Sequence, residues 1–216
     1  MELRTDMARM GVAFSGGLPP ANIVECVKLA EALGYESAWV AEGHGGDQFA
    51  ILGACAVATR RILLGTSISS VFVRSATTIG MAAATVDHLS SGRFILGLGS
   101  SHRVQVEPEH GIAFVRPTAR LRDTIAIARA GARRRGLASR RGRDDRAVRP
   151  LVPAAPAGDP DLRGGALPTL ARDRGGARPG VLLTWPTPST IARAVEHVAI
   201  GARRAGRPEP RWTWRR

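Results

Sequence analysis

The sequence predicts an α/β protein built on a parallel sheet, and three observations carry that prediction. Strand-like and helix-like stretches alternate four times between Gly11 and Ala130, the order that sets strands side by side through right-handed crossovers. The strand candidates are short apolar runs without polar alternation, as in strands covered on both faces. Residues 85–101, TVDHLSSGRFILGLGSS, read as a helix end, a glycine turn, a buried strand and a loop opening at the strand's carboxyl end. That end is where α/β folds hold ligands. An open doubly wound sheet and a (β/α)8 barrel both repeat this unit, and periodicity alone does not choose between them.

Each element has its own local reason. Gly11 to Ser15 (GVAFS) is the first strand, ending in Gly16 and Gly17. Pro19 and Pro20 precede a helix from about Ala21 to Leu33, with Ile23, Val27, Ala30 and Leu33 (plus Val24) on one face, and Gly34 closes it. Tyr35 to Ala41 is the second strand, followed by the polar loop EGHGGD, Glu42 to Asp47. A second helix runs from about Asp47 to Thr59. Ile62 to Ile68 is the third strand, and a loop through Val71 to Ser75 leads into a helix to Leu89. Gly92 ends that helix, and Phe94 to Leu98 is the fourth strand. Gly97 and Gly99 strip side chains from its far end, which lets a ligand approach the backbone. A long loop from Ser100 to Arg116 follows, then a helix from Pro117, in its first turn, to about Ala130.

Composition bounds the function less than it first suggests. The chain has 216 residues and a formal charge of +13, but the charge is unevenly placed. Residues 1–131 hold 12 Lys and Arg against 11 Asp and Glu, whereas residues 132–216 hold 19 arginines against 7 acids. The first part therefore has an ordinary enzyme-like surface. The charged opening MELRTDMARM and the lack of an apolar run near ~20 residues argue for a soluble, cytoplasmic protein without a membrane span. Cys26 and Cys55 fall within helical apolar patterns and read as buried thiols.

The glycine-rich segment fails as a dinucleotide fingerprint: GLGSSH lacks the third glycine and leads into a loop rather than a helix. No Walker A, Gly-x-Ser-x-Gly or Cys-x-x-Cys motif is present. His102, Glu107, Glu109 and His110 share one loop without metalloprotease spacing, so they read as a solvated polar loop, and no metal site is predicted.

Taken together, TVDHLSSGRFILGLGSS, LAEALGYESAWVAEGHGGD, TRRILLGTSI and HGIAFVRPTARLRDTI resemble the bacterial luciferase-like monooxygenase superfamily. The closest likeness is to its branch of coenzyme F420-dependent oxidoreductases, related to methylenetetrahydromethanopterin reductases. The resemblance implies a (β/α)8 TIM barrel with its cofactor at the carboxyl ends of the strands. Ser67 and Ile68 match the end of the third strand, where relatives have a bulge, often with a non-prolyl cis peptide, that backs the deazaflavin ring. Gly97, Gly99, Ser100 and Ser101 match the end of the fourth strand that approaches the cofactor. Glu42 matches the acidic residue ending the second strand. His44 stands one place beyond the histidine of many members, and some relatives carry a glutamate near His102. The implied reaction is hydride transfer between C5 of the 5-deazaflavin F420 and a small-molecule substrate, with Glu42 or His44 as the catalytic proton carrier. An FMN-dependent monooxygenase is the near alternative, and intact relatives suggest a homodimer.

Past Gly131 the resemblance stops. Residues 132–179 contain no aromatic and no isoleucine, a composition that cannot bury enough apolar surface to offset chain entropy. Residues 180–207 again look family-like. GVLLTW reads as a strand, and Ser189 caps a helix ending near Gly206 whose Ala192, Val195, Val198 and Ala199 share a face. This pair resembles the seventh strand and helix of the barrel. Residues 208–216 form a foreign-looking tail. Residues 132–179 and the tail read as out-of-frame translation of a GC-rich gene, which leaves an incomplete barrel, exposed sheet edges and an expectation of poor solubility or inactivity. A competing expectation takes the Arg-rich segment as a disordered nucleic-acid tether. Against it stands the lack of aromatics for base stacking.

Overall fold

Four short runs, the first partly exposed and the later ones increasingly buried, pair in parallel in the order in which they occur along the chain. The computed structural model describes residues 10–134 and 187–204. Strands β1 (Gly11–Phe14), β2 (Ser37–Val40), β3 (Leu63–Thr66) and β5 (Phe94–Ile95) form one parallel sheet in that order. Two shorter strands, β4 (Ser69–Ser70) and β6 (Leu98–Gly99), pair in parallel with each other and continue β3 and β5 beyond a break. Helices α1 (Pro20–Ala32), α2 (Gln48–Ala58) and α3 (Ala76–Leu89) are the crossovers. Helices α4 (Arg103–His110) and α5 (Pro117–Arg134) follow, and a further helix spans Pro188–Arg204.

Local chemistry sets the boundaries. Asp47 caps α2, its Oδ1 accepting from the N–H groups of Phe49 and Ala50, each at 2.9 Å. Ser75 caps α3 by accepting from Thr78 N–H. Ser90 N–H and Gly92 N–H bond back to the carbonyls of Val86 and Asp87, and Gly92 takes a left-handed φ of 84°. The core between sheet and helices holds Ile23, Val27, Leu52, Leu64, Ile79 and Phe94.

Several expectations need correction. The loop predicted over Ser100 to Arg116 contains α4; only Val106 of that helix is buried, and Pro108 lies inside it, so no apolar period announces it. Leu33 is exposed because α1 stops at Ala32 and leaves it as the C-cap. Cys26 is exposed as well, off the narrow stripe of Ile23, Val27 and Ala30. Cys55 is buried, and burial pushes its thiol up to about 11. In the last helix Ala194 is buried and Ala192 exposed. Ser189 lies inside that helix, where its hydroxyl meets that of Thr187 at 2.9 Å, and Thr187 O accepts from Ile191 N–H. Helix α5 runs three residues past the boundary expected at 131. The strand expected over 180–185 and most of the segment 132–179 lie outside the described residues.

Two charged residues at the amino-terminal side of the sheet join crossovers to strands. Glu31 of α1 accepts from the N–H groups of Arg60, Arg61 and Ile62, at 3.0, 2.6 and 2.8 Å, where the chain enters β3. Burial alone would raise its carboxyl, but the three N–H groups and the Arg61 guanidinium together hold it below its ordinary value. A depressed carboxylate gives stability that is complete above the ordinary glutamate range and is lost as pH falls through the folded value. Glu31→Gln is therefore expected to cost about 1 kcal/mol at pH 7. The cost should shrink as pH falls through the folded value, where the carboxyl becomes protonated in both states, as read from urea midpoints at neutral and acid pH.

Arg93, in the turn before β5, spends all five of its guanidinium N–H donors. Nε donates to Ser90 O; Nη1 donates to Ile62 O and Thr59 Oγ1; Nη2 donates to Ala56 O and Thr59 O, all within 3.0 Å. Two of these acceptors are carbonyls at the end of α2, which its own ladder leaves unpaired.

Candidate active site

The carboxyl ends of the strands are shaped by a one-residue slip between the third and fourth strands. Leu64 and Gly65 pair with Phe94 and Ile95, thirty positions on, whereas Ser69 and Ser70 pair with Leu98 and Gly99, twenty-nine positions on. The extra residue forms a bulge on the third strand. The Ser67–Ile68 peptide inside it is cis. Ser67 N–H donates to Val40 O of β2 at 2.9 Å, Ser69 N–H to Gly97 O at 2.8 Å and Val71 N–H to Gly99 O at 2.9 Å, so the bulge is tied on both sides.

Thr66 fills the gap that the slip opens. Its hydroxyl accepts from Gly97 N–H and donates to Gly97 O, both at 2.8 Å. Gly97 is needed here for a reason the sequence does not display. A Cβ on it would lie far inside contact distance of the Thr66 carbonyl oxygen, so the close approach of the neighbouring strand by itself requires a glycine here. Gly97 and Gly99 are buried, whereas Ser67, Ile68, Ser100 and Ser101 are half-buried at the strand ends. Ser101 takes a left-handed φ of 60°, and its hydroxyl donates to Gln105 Oε1 at 3.2 Å, leading the chain into α4.

Glu42 reaches this wall with both carboxylate oxygens engaged. Oε2 accepts from Ser70 N–H at 2.7 Å and, at 3.4 Å, from the Ser69 hydroxyl; Oε1 accepts from Arg74 Nε. Glu42 N–H donates to Ile68 O at 3.3 Å. Arg74 also donates through Nη2 to Asp47 Oδ2 and lies over the Phe49 ring at 5.3 Å. Burial would lower the Arg74 pKa, but Asp47 and Glu42 together hold it above its ordinary value. The same pairing, with the α2 N–H groups, outweighs burial and holds Asp47 below its ordinary value. Arg74 is absent from the sequence-based site because its partners lie about thirty residues away, and no local pattern marks them.

His44, on the loop that Glu42 opens, makes no hydrogen bond to this cluster among the described residues. Its Nε2 pairs with Glu109 Oε2 of α4 at 3.0 Å, and the imidazole is exposed. The fold thus gathers Glu42, Ser67, Ile68, Gly97 and Gly99 around the bulge, sets Ser100 and Ser101 at the entry to α4, and brings His44 to the far end of that helix. Four side chains stack beside the wall: Arg120 over Phe72, Phe72 on Phe114 with centroids 4.7 Å apart, and Arg103 over Phe114. Arg120 Nε donates to Val71 O at 2.9 Å. This stack pins the chain after β4 to the segment joining α4 and α5.

Comparison with known proteins follows the same lines. The family model described as luciferase-like monooxygenase matches residues 5–214. A Mycobacterium tuberculosis protein named as a coenzyme F420-dependent oxidoreductase is 42% identical over 118 residues, covering 55% of this chain and 34% of that protein. The 5,10-methylenetetrahydromethanopterin reductase of Methanolobus tindarius is 29% identical over 202 residues, 91% of this chain and 60% of the reductase. Among solved structures, the oxygenating constituent of 3,6-diketocamphane monooxygenase from Pseudomonas putida, a type II Baeyer–Villiger monooxygenase in complex with FMN, superposes with a TM-score of 0.74. It does so at 13% identity, over 95% of this chain and 65% of that one. That likeness bears on the fold, which is the α/β architecture of luciferase-like barrel enzymes. The chain spans between about a third and three fifths of the length of these two curated relatives.

Proposed function

This chain belongs to the luciferase-like monooxygenase family, and from that premise we propose that its strand-end site holds coenzyme F420 and that the protein is an oxidoreductase acting on a small organic substrate. The observation that carries the proposal is the bulge at Ser67–Ile68, hydrogen-bonded to the end of β2 on one side and to Gly97 on the other. It leaves short, half-buried groups at the strand ends. Ser67, Ser100 and Ser101 would offer hydroxyls and peptide groups to a polar heterocycle, with Ile68 beside them, at the end of the sheet where barrel enzymes act. The name of the Mycobacterium tuberculosis relative supports F420 as that ring system.

The deazaflavin would supply the hydride chemistry at its C5 when bound. The chain's own part is to back the ring with Ser67–Ile68, to hold its polar edge with the strand-end serines, and to manage a proton. For that proton the geometry favours His44 over Glu42. Both Glu42 oxygens already accept hydrogen bonds, whereas the exposed His44 imidazole is oriented by Glu109 through one ring nitrogen. His44→Gln is expected to leave F420 affinity within about threefold and to lower the hydride-transfer rate about 100-fold, measured in turnover against a panel of carbonyl and imine substrates.

Titrating the purified full chain with oxidised F420 and separately with FMN, each followed by fluorescence, tests the cofactor proposal. Saturable F420 binding with weak or no FMN binding is the expected result. The reverse preference would establish the FMN monooxygenase reading. Among the described residues no helix is long and apolar enough to cross a membrane.

A further inference from the structure

The loop that carries His44 is held at both ends by one side chain from elsewhere in the fold. Glu42 and Asp47 flank Gly43, His44, Gly45 and Gly46, and Gly43 and Gly46 form an antiparallel bridge across the loop's neck. Arg74, four residues beyond β4, donates Nε to Glu42 and Nη2 to Asp47. We propose that Arg74 is a positioning residue of this site, one guanidinium that closes the His44 loop and, through Glu42, holds the backbone of the bulge.

Each carboxylate has two oxygens with two separate tasks. Asp47 gives Oδ1 to the first turn of α2 and Oδ2 to Arg74. Glu42 gives Oε2 to Ser70 N–H, the amide just past the bulge, and Oε1 to Arg74. Arg74 and Glu42 are mostly buried, with 22% and 18% of their side chains exposed, so solvent screens this pair less than a surface ion pair. The Phe49 ring beneath the guanidinium fixes its plane. A planar fork can serve two carboxylates along two directions at once; an ammonium is a single point charge on a flexible stem. Arg74→Lys therefore keeps the charge and loses the geometry. Arg74 touches no reacting atom: it acts on the loop through Glu42 and Asp47.

The inference rests on the F420 reading for its consequence in catalysis, but the closure itself is a property of the protein without cofactor. Amide hydrogen exchange of the full apo chain tests it. In Arg74→Lys, exchange in peptides covering 41–47 and 67–71 is expected to accelerate about tenfold or more, while peptides from β1 and α1 stay unchanged. Unchanged exchange at 41–47 and 67–71 would overturn the proposal. Glu42→Gln removes one end of the closure without touching Arg74, and is the second variant should Arg74→Lys fail to fold. It is expected to loosen 67–71 more than Asp47's side of the loop, and equal protection to wild type would again overturn the proposal. F420 titration then separates the two ideas. If wild type binds F420, Arg74→Lys should bind about tenfold more weakly, with an altered induced circular dichroism of the deazaflavin, and equal affinity with an unaltered spectrum would refute the positioning role. If wild type binds no F420 but exchange accelerates as described, the closure stands and the cofactor reading falls.

Discussion

Gly97→Ala is expected to destabilise the protein by about 3 kcal/mol or more, the range of an overpacked core position that cannot relax. The new methyl group would collide with the Thr66 carbonyl oxygen, a backbone atom of the adjacent strand. Moving that carbonyl means moving the bulge, and with it the two hydrogen bonds through which Thr66 Oγ1 closes the gap to Gly97. A matched control separates this from the general effect of adding a side chain. At Gly53, inside α2, an added Cβ would meet only Leu89 Cδ1 at 3.8 Å, and Gly53→Ala should be neutral or stabilising by up to about 1 kcal/mol. Urea unfolding of the two variants checks the contrast. Equal midpoints would show that the third and fourth strands do not approach as closely as described.

Arg93→Ala is expected to cost about 3 kcal/mol, through loss of charge-assisted hydrogen bonds and exposure of unpaired acceptors. Its five donors serve Ser90 O, Ile62 O, Ala56 O, Thr59 O and Thr59 Oγ1, so its removal frees carbonyls from the end of α2, the start of β3 and the turn after α3 together. Burial lowers the Arg93 pKa from its ordinary value, with Glu31 opposing, and at neutral pH the guanidinium stays protonated. Lysine has three donors in place of five, and Arg93→Lys should recover no more than about half of the loss. Thermal melting of the three proteins orders them wild type, lysine, alanine. Because Arg93 lies at the end of the sheet opposite the bulge, cofactor affinity in folded Arg93→Lys should match wild type. A change there would mean that the two ends of the sheet are coupled.

How far the sequence revealed these features depends on how local their causes are. The third and fourth strands were legible because both their faces are buried, which writes an apolar run such as ILLGTSI. Asp47 and Ser75 act on the turn directly after them and could be read in place. Helix α4 was hidden because one buried valine and an internal proline leave no period to detect. That a neighbouring strand closely approaches Gly97 was not legible, because only the register of β4 against β6 reveals it. Arg74 and Arg93 were invisible as organising residues, since their partners are set by the topology of the sheet rather than by sequence spacing. Glu42 was legible as a strand-end acid, and its occupied oxygens could be seen only once Arg74 and Ser70 were placed beside it.

If the bulge of the third strand and the end of the fourth form the cofactor face, as proposed, F420 should cover both. Amide hydrogen exchange of the full chain with and without saturating F420 reads this. Slowed exchange is expected in two peptides alone, 67–71 and 97–103, with β1 and the α1–α2 surface unchanged. Protection that leaves both peptides untouched, or no protection at saturating F420, would contradict it.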